Sequence, residues 1–155
     1  MHIHILVAGN RPPDWVARGC EDYLKRLPAA ARPRIQRLPP ARRGRGAGTS
    51  AARDAEGKRM LAVLPDRAHV VALDVAGSPW SSAQLSKRLM RWQRDRQDVY
   101  LLIGGSDGLA SACLERAQER WSLGPLTLPH TLIQVVLAEA LYRAWSVTQG
   151  HPYHR

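Results

Sequence analysis

Three runs, IHILVA at 3–8, HVVALD at 69–74 and VYLLI at 99–103, are apolar almost without interruption. Continuous rather than alternating hydrophobicity over so few residues marks strands covered on both faces. Such strands need helices on either side, and the segments between them supply helical periodicity. Asp14–Leu27 puts Val16, Cys20, Tyr23, Leu24 and Leu27 on one face. Ser50–Leu64 buries Met60, Leu61 and Leu64 as a second helix, and Leu85, Leu89 and Trp92 follow in a third that Ser82 can cap. Arg34–Leu38 alternates and reads as a weaker strand, while Ser111–Arg120 reads as a short helix. This order predicts an α/β domain with a largely parallel sheet flanked by helices.

The last third has another texture. WSLGPLTLPHT is interrupted by Gly124, Pro125 and Pro129, so it reads as a short strand embedded in loops. Thr131–Val147 follows as the strongest helical pattern, with Ile133, Val136, Leu137, Ala140, Leu141, Ala144 and Trp145 in one stripe. Ligands of parallel sheets sit beyond the carboxyl ends of the strands, where LDVAG, IGGSDG and LTLPH should fall. With 155 residues, no internal repeat and no linker, a single domain over 1–155 is expected.

Charge narrows the partners. The net charge is +10 and the isoelectric point lies near 10.8, which favours a polyanion, nucleic acid ahead of a membrane surface. The excess gathers between Arg32 and Arg59, around the Pro- and Gly-rich loop at about 39–49. Arg42, Arg43 and Arg45 are the candidate RNA phosphate contacts, and a merely solvated loop is the competing reading. No apolar run approaches the ~18 residues that span a bilayer, and MHIHILVAGN lacks the pattern of a secretory signal. Cys20 and Cys113 are isolated, which suits a reducing cytoplasm. His2 and His4 share a strand face without the Cys or carboxylate spacing of a metal site, so no metal is expected. The five tryptophans, Trp15, Trp80, Trp92, Trp121 and Trp145, read as core or dimer packing rather than base stacking.

The join YLLIGGSDGL at 100–109 asks for a ligand close to backbone. It is no Walker loop, because Leu109 and Ala110 follow Gly108 where Lys and Ser or Thr would stand. Nor is it a dinucleotide fingerprint, since Gly104, Gly105 and Gly108 make GGxxG.

Taken with PDW at 13–15, YLKRLP at 23–28, EGKRML at 56–61 and LTLPH…EALYRAWS…HPYHR, this join resembles the SPOUT methyltransferases. The likeness spans essentially the whole chain and is narrowest to the small single-domain members that methylate N3 of a pseudouridine in large-subunit ribosomal RNA. It implies a deep trefoil knot in the C-terminal part, about 99–147, an exception to the rule against knots. It also implies S-adenosylmethionine as cofactor and a homodimer with the active site at the subunit interface. The resemblance assigns cofactor contacts to Leu73, Gly104, Gly105, Gly124, Pro125, Leu126, Thr127, Leu128 and Pro129. The two glycines of 104–105 would let the cofactor lie against bare backbone, and the prolines would hold the second loop rigid.

Pseudouridine N3–H is a weak acid, so catalysis needs a proton acceptor or support for the anion. The tail at 150–155 offers His151 or His154 as acceptor, Tyr153 to orient the base and Arg155 to hold the anion. Glu139 and Arg143, four apart on the last helix, read equally as site residues or as an ordinary surface pair. His130 reads as a cap or a support for the cofactor loop. A non-catalytic ribosome or RNA-binding factor is the alternative, since the charge and the basic loop would suffice for it.

Overall fold

The computed structural model describes residues 1–43 and 48–154. Strands β1 (Ile3–Ala8), β2 (Arg34–Leu38), β3 (His69–Pro79), β4 (Val99–Ile103) and β5 (Glu119–Ser122) form one sheet, every neighbouring pair parallel. Their order is β2-β1-β4-β3-β5. Helices α1 (Asp14–Leu24), α2 (Thr49–Val63), α3 (Ser82–Arg94), α4 (Ser111–Arg116) and α5 (His130–Thr148) cover it.

Strand side chains alternate between faces, and each face finds its own helices. Ile3, Ile5, Val7, Val71, Val99, Leu101 and Ile103 pack with Leu85, Leu89 and Trp92 of α3 and with Leu137, Leu141 and Ala144 of α5. Leu6, Ala8, Val70, Tyr100 and Leu102 face the other way, onto Met60 of α2 and Cys113 of α4. Two-sided cover explains why these strands read as unbroken apolar runs. A third cluster joins Val16, Cys20 and Leu24 of α1 to Ala138 and Tyr142 of α5. The apolar stripe of α5 is therefore wider than its sequence pattern: one flank meets the sheet and α3, another meets α1.

Several boundaries differ from expectation, each for a local reason. Helix α3 is capped by Ser81 rather than Ser82. Ser81 Oγ accepts from the Gln84 N–H at 3.1 Å, and Gln84 Oε1 accepts from the Ser81 N–H at 2.8 Å. The capping box needs Gln at the third helical position, and only Ser81 has one there. Helix α1 ends at Leu24, and Leu27 is buried from the loop beyond it.

The expected helix to Arg120 stops at Arg116, and the expected strand moves upstream to Glu119–Ser122. The edge of β3 takes up this backbone: Gln118 N–H donates to Val70 O at 2.9 Å, and Val70 N–H donates to Gln118 Oε1 at 2.7 Å. Strand β3 also continues beyond Asp74, but its register against β5 jumps between Leu73 and Ser78, both opposite Trp121. Residues 74–77 are thus extruded from the ladder. Gly77 permits this, because a Cβ there would meet Arg120 C at 2.7 Å.

Glu119 ties β5 to its neighbours. Its carboxylate accepts from Arg88 Nε at 2.7 Å and Arg91 at 2.8 Å, with His69 Nε2 at 2.9 Å. Burial opposes ionisation, but the hydrogen bonds from His69 and Arg88 and the charges of Arg88 and Arg91 prevail, holding the pKa at about 2 against an ordinary 4.5. A depressed carboxylate pKa stabilises the fold above its unfolded value and loses that contribution as pH falls through the folded one. The contribution is on the order of 3 kcal/mol, complete above pH ~4.5 and lost toward pH ~2. Glu119→Gln should therefore flatten the fall in unfolding free energy across that window, as read by urea titration at several pH values. An unchanged slope would remove Glu119 as the acid-sensitive tie.

Candidate active site

Beyond the carboxyl end of β4, beside the break in the β3 ladder after Leu73, lies a cavity of about 580 Å³. It is lined by Leu73–Val75, Ile103–Leu109, Leu114, Thr127–His130 and Ile133. A smaller, mainly apolar pocket of about 130 Å³ adjoins it, adding Trp121, Leu123, Gly124 and Leu126 to shared walls at Leu73, Asp74, Val75, Thr127, Leu128 and Ile133. Three chain segments, the break in the β3 ladder after Leu73, the turn after β4 and the loop before α5, thus meet at one sheet edge; LDVAG, expected beyond a strand end, lies within β3. Of the residues expected to hold a cofactor, only Pro125 lines neither space.

Charge divides this space unevenly. Among the described residues, Asp74, Asp107 and His130 are its only ionisable lining side chains, and no Lys or Arg reaches it. Two carboxylates beside an apolar slot, in a chain of net charge +10, suit a ligand with one apolar and one cationic end. Leu126 and Val75 stand 76% and 65% exposed at the rim, so the slot has apolar edges left uncovered by this chain.

The glycines of 104–108 have a different reason from the one their sequence suggests. A Cβ on Gly104 would lie 2.4 Å from Gly108 C and 2.6 Å from Gly108 O. One on Gly105 would lie 3.0 Å from Glu56 Oε2. The absent side chains make room for the chain's own turn, which closes through Gly108 N–H to Gly105 O at 3.0 Å with Gly108 at φ 77°. What 104–105 show the cavity is backbone all the same.

His130 does not cap α5. Pro129 holds that position without a side-chain cap, and His130 lines the cavity instead. Asp74, Val75, Ile103, Ser106, Asp107, Leu109, Leu114 and Ile133 are lining residues that sequence reasoning did not single out. For Asp74 and Asp107 a signal was present, since they belong to LDVAG and IGGSDG, two of the three motifs expected around a ligand.

The tail forms a separate constellation. Residues Pro152–His154 make a single 3-10 turn against α5. Tyr153 packs on Tyr142 at 4.6 Å between ring centres and donates to Glu139 Oε1 at 3.2 Å. Arg143 pairs with the same Glu139 oxygen and lies 5.2 Å from the Tyr153 ring. Glu139 and Arg143 are therefore joined to each other and to the tail. Burial and the nearby Glu139 carboxylate push the Tyr153 phenol above its ordinary pKa, so it remains a donor at neutral pH.

His154 Nδ1 lies 2.6 Å from His151 O, and both imidazoles are exposed. No described tail residue lines the cavity. Glu139 follows His130 by nine positions of α5, ~13 Å along the axis. Arg155 lies outside the described residues.

The basic loop is also more structured than a row of free cations. Arg42 is exposed, Arg45 lies outside the described residues, and Arg43 bridges Glu56 and Asp107 at 3.0 and 2.8 Å. Of the tryptophans, Trp92 and Trp121 are core and Trp80 stacks on Trp121 at 4.9 Å, while Trp15 is 56% exposed. No helix among the described residues is long and apolar enough to cross a membrane.

A family model described as a predicted SPOUT methyltransferase matches residues 1–154. The chain is also 48% identical over 155 residues, the full length of both proteins, to ribosomal RNA large subunit methyltransferase H of Chromohalobacter salexigens. These matches span all three segments that wall the cavity and the tail on α5, and the chain belongs to the SPOUT methyltransferase family.

Proposed function

We propose that this protein methylates N3 of a pseudouridine in large-subunit ribosomal RNA, using S-adenosylmethionine, as a homodimer in the cytoplasm and without a metal. The observation that carries the reading is the meeting of apolar walls with two carboxylates, Asp74 and Asp107, around one space at the sheet edge. Leu73, Trp121, Leu123, Leu126 and Leu128 would hold the adenosine part, with Gly124, Thr127 and Pro129 offering backbone polar groups to its edge. Asp74 and Asp107 would face the cationic methionine end. The cofactor supplies an electrophilic methyl group; the chain binds, orients and manages one proton. The single domain over 1–155 includes the knotted region that membership of the family implies.

The chain's own tail stands apart from its cavity, which supports an active site shared between subunits. One subunit would hold the cofactor, and the partner's tail would hold the base. His151 or His154 accepts the N3 proton, Tyr153 donates a hydrogen bond, and Arg143 and Arg155 support the anion. Glu139 keeps Arg143 and Tyr153 in position. Arg42 and Arg45 provide phosphate contacts from the basic loop.

Titration calorimetry with S-adenosylmethionine should give a saturable heat, and ribosomal RNA from a strain lacking the gene should lose one methylated pseudouridine by mass spectrometry. RNA binding without cofactor binding would instead make the protein a non-catalytic ribosome factor.

A further inference from the structure

We propose that Arg43 is a charge latch between the basic loop and the cofactor cavity, held by Glu56 and Asp107 until a nucleic-acid phosphate draws it away. This rests on reading the cavity as an S-adenosylmethionine site. Glu56, on α2, is 4% exposed and lies beneath the glycine turn. Its Oε1 accepts from the Ala41 N–H at 3.2 Å and from Arg43 at 3.0 Å. The same guanidinium donates to Asp107 Oδ2 from Nε at 2.9 Å. One cation thus straddles a buried acid and an acid that lines the cavity. The Arg43 side chain is 34% exposed, so an external phosphate can reach it.

The surroundings contain a spare partner for the buried acid. Glu56 Oε2 and Arg53 Nε are both buried with no hydrogen-bond partner among the described residues. Both residues line one small void beside Gly104 and Gly108. A buried carboxylate stripped of its only cation is strongly disfavoured. Arg53 can take over Glu56 when Arg43 leaves, and its unsatisfied donor disappears in the same step.

Release of Arg43 frees Asp107 to face the cavity with its full charge. A cationic ligand there then gains a counter-charge, and a ligand that captures Asp107 first frees Arg43 for a phosphate. Affinity for one site must raise affinity for the other by the same factor. A phosphate on the outside and a methionine ammonium on the inside therefore cooperate without touching.

The test is calorimetry of the intact protein with S-adenosylmethionine, with and without polyuridylate at low salt. Polyuridylate carries the phosphate backbone and no pseudouridine, so nothing is consumed. It should tighten S-adenosylmethionine binding about fivefold or more. Uncharged 5′-methylthioadenosine should show no such gain. Arg43→Gln should bind S-adenosylmethionine more tightly than the intact protein without polyuridylate, a sign opposite to the loss of a mere structural support. Asp107→Asn keeps the Arg43–Glu56 pair and should weaken S-adenosylmethionine binding and abolish the coupling. Equal affinities with and without polyuridylate, or coupling that survives Asp107→Asn, would overturn the latch. Failure of the intact protein to bind S-adenosylmethionine at all would overturn the cavity reading, and the latch with it.

Discussion

Removing residues 150–155 is expected to lower methyl transfer at least ~100-fold, the usual scale for losing a positioned acid or base, while S-adenosylmethionine binding stays near that of the intact chain. The two effects separate because no described tail residue lines the cavity. Tyr153, Glu139 and Arg143 instead form their own cluster along α5. Truncation also removes the Tyr153 contact with Tyr142, so thermal unfolding must first show that the variant folds. Mixing then asks whose tail is used. A truncated subunit and a subunit with a defective cavity should each be inactive alone and regain activity as verified mixed dimers. No recovery would mean that each subunit needs its own cavity and its own tail.

The cavity-defective partner comes from the second large effect. Gly104→Ala should abolish S-adenosylmethionine binding, because the new methyl would overlap Gly108 C at 2.4 Å, an atom of backbone that cannot rotate aside. The turn between Gly104 and Leu109 must open, and with it one wall of the cavity. Gly108→Ala is the control. Nothing lies within 4 Å of a Cβ there, so its cost is only the left-handed backbone at φ 77°, roughly 1–2 kcal/mol. That variant should lose stability and keep most of its binding. Calorimetry and urea unfolding on both proteins decide the matter, and normal binding by Gly104→Ala would detach the turn from the cofactor site.

Wherever one periodicity dominated, the sequence by itself determined the structure. IHILVA and VYLLI could only be two-sided strands, and both have the expected bounds. Helix α5 was legible from its stripe, and the segments that wall the cavity were legible because Gly and Pro interrupt the apolar runs beside them. The family motifs carried the activity for the same reason: they are local strings.

What only the tertiary structure decided were the questions with two local answers. Residues 117–122 could continue a helix or add a strand, and the open edge of β3 chose the strand by accepting the Gln118 N–H. The absent side chain of Gly104 could have served a ligand alone, and the return of Gly108 gives it a second reason, room for the chain's own turn. The sequence shows one apolar stripe on α5, and the fold gives it two partners, the sheet with α3 on one flank and α1 on the other. Arg43 read as one more phosphate contact of the basic loop until the fold set it between Glu56 and Asp107, 13 and 64 positions away along the chain. Charge pairing acts through space over a few ångströms, so chain separations of that size leave no trace in local spacing.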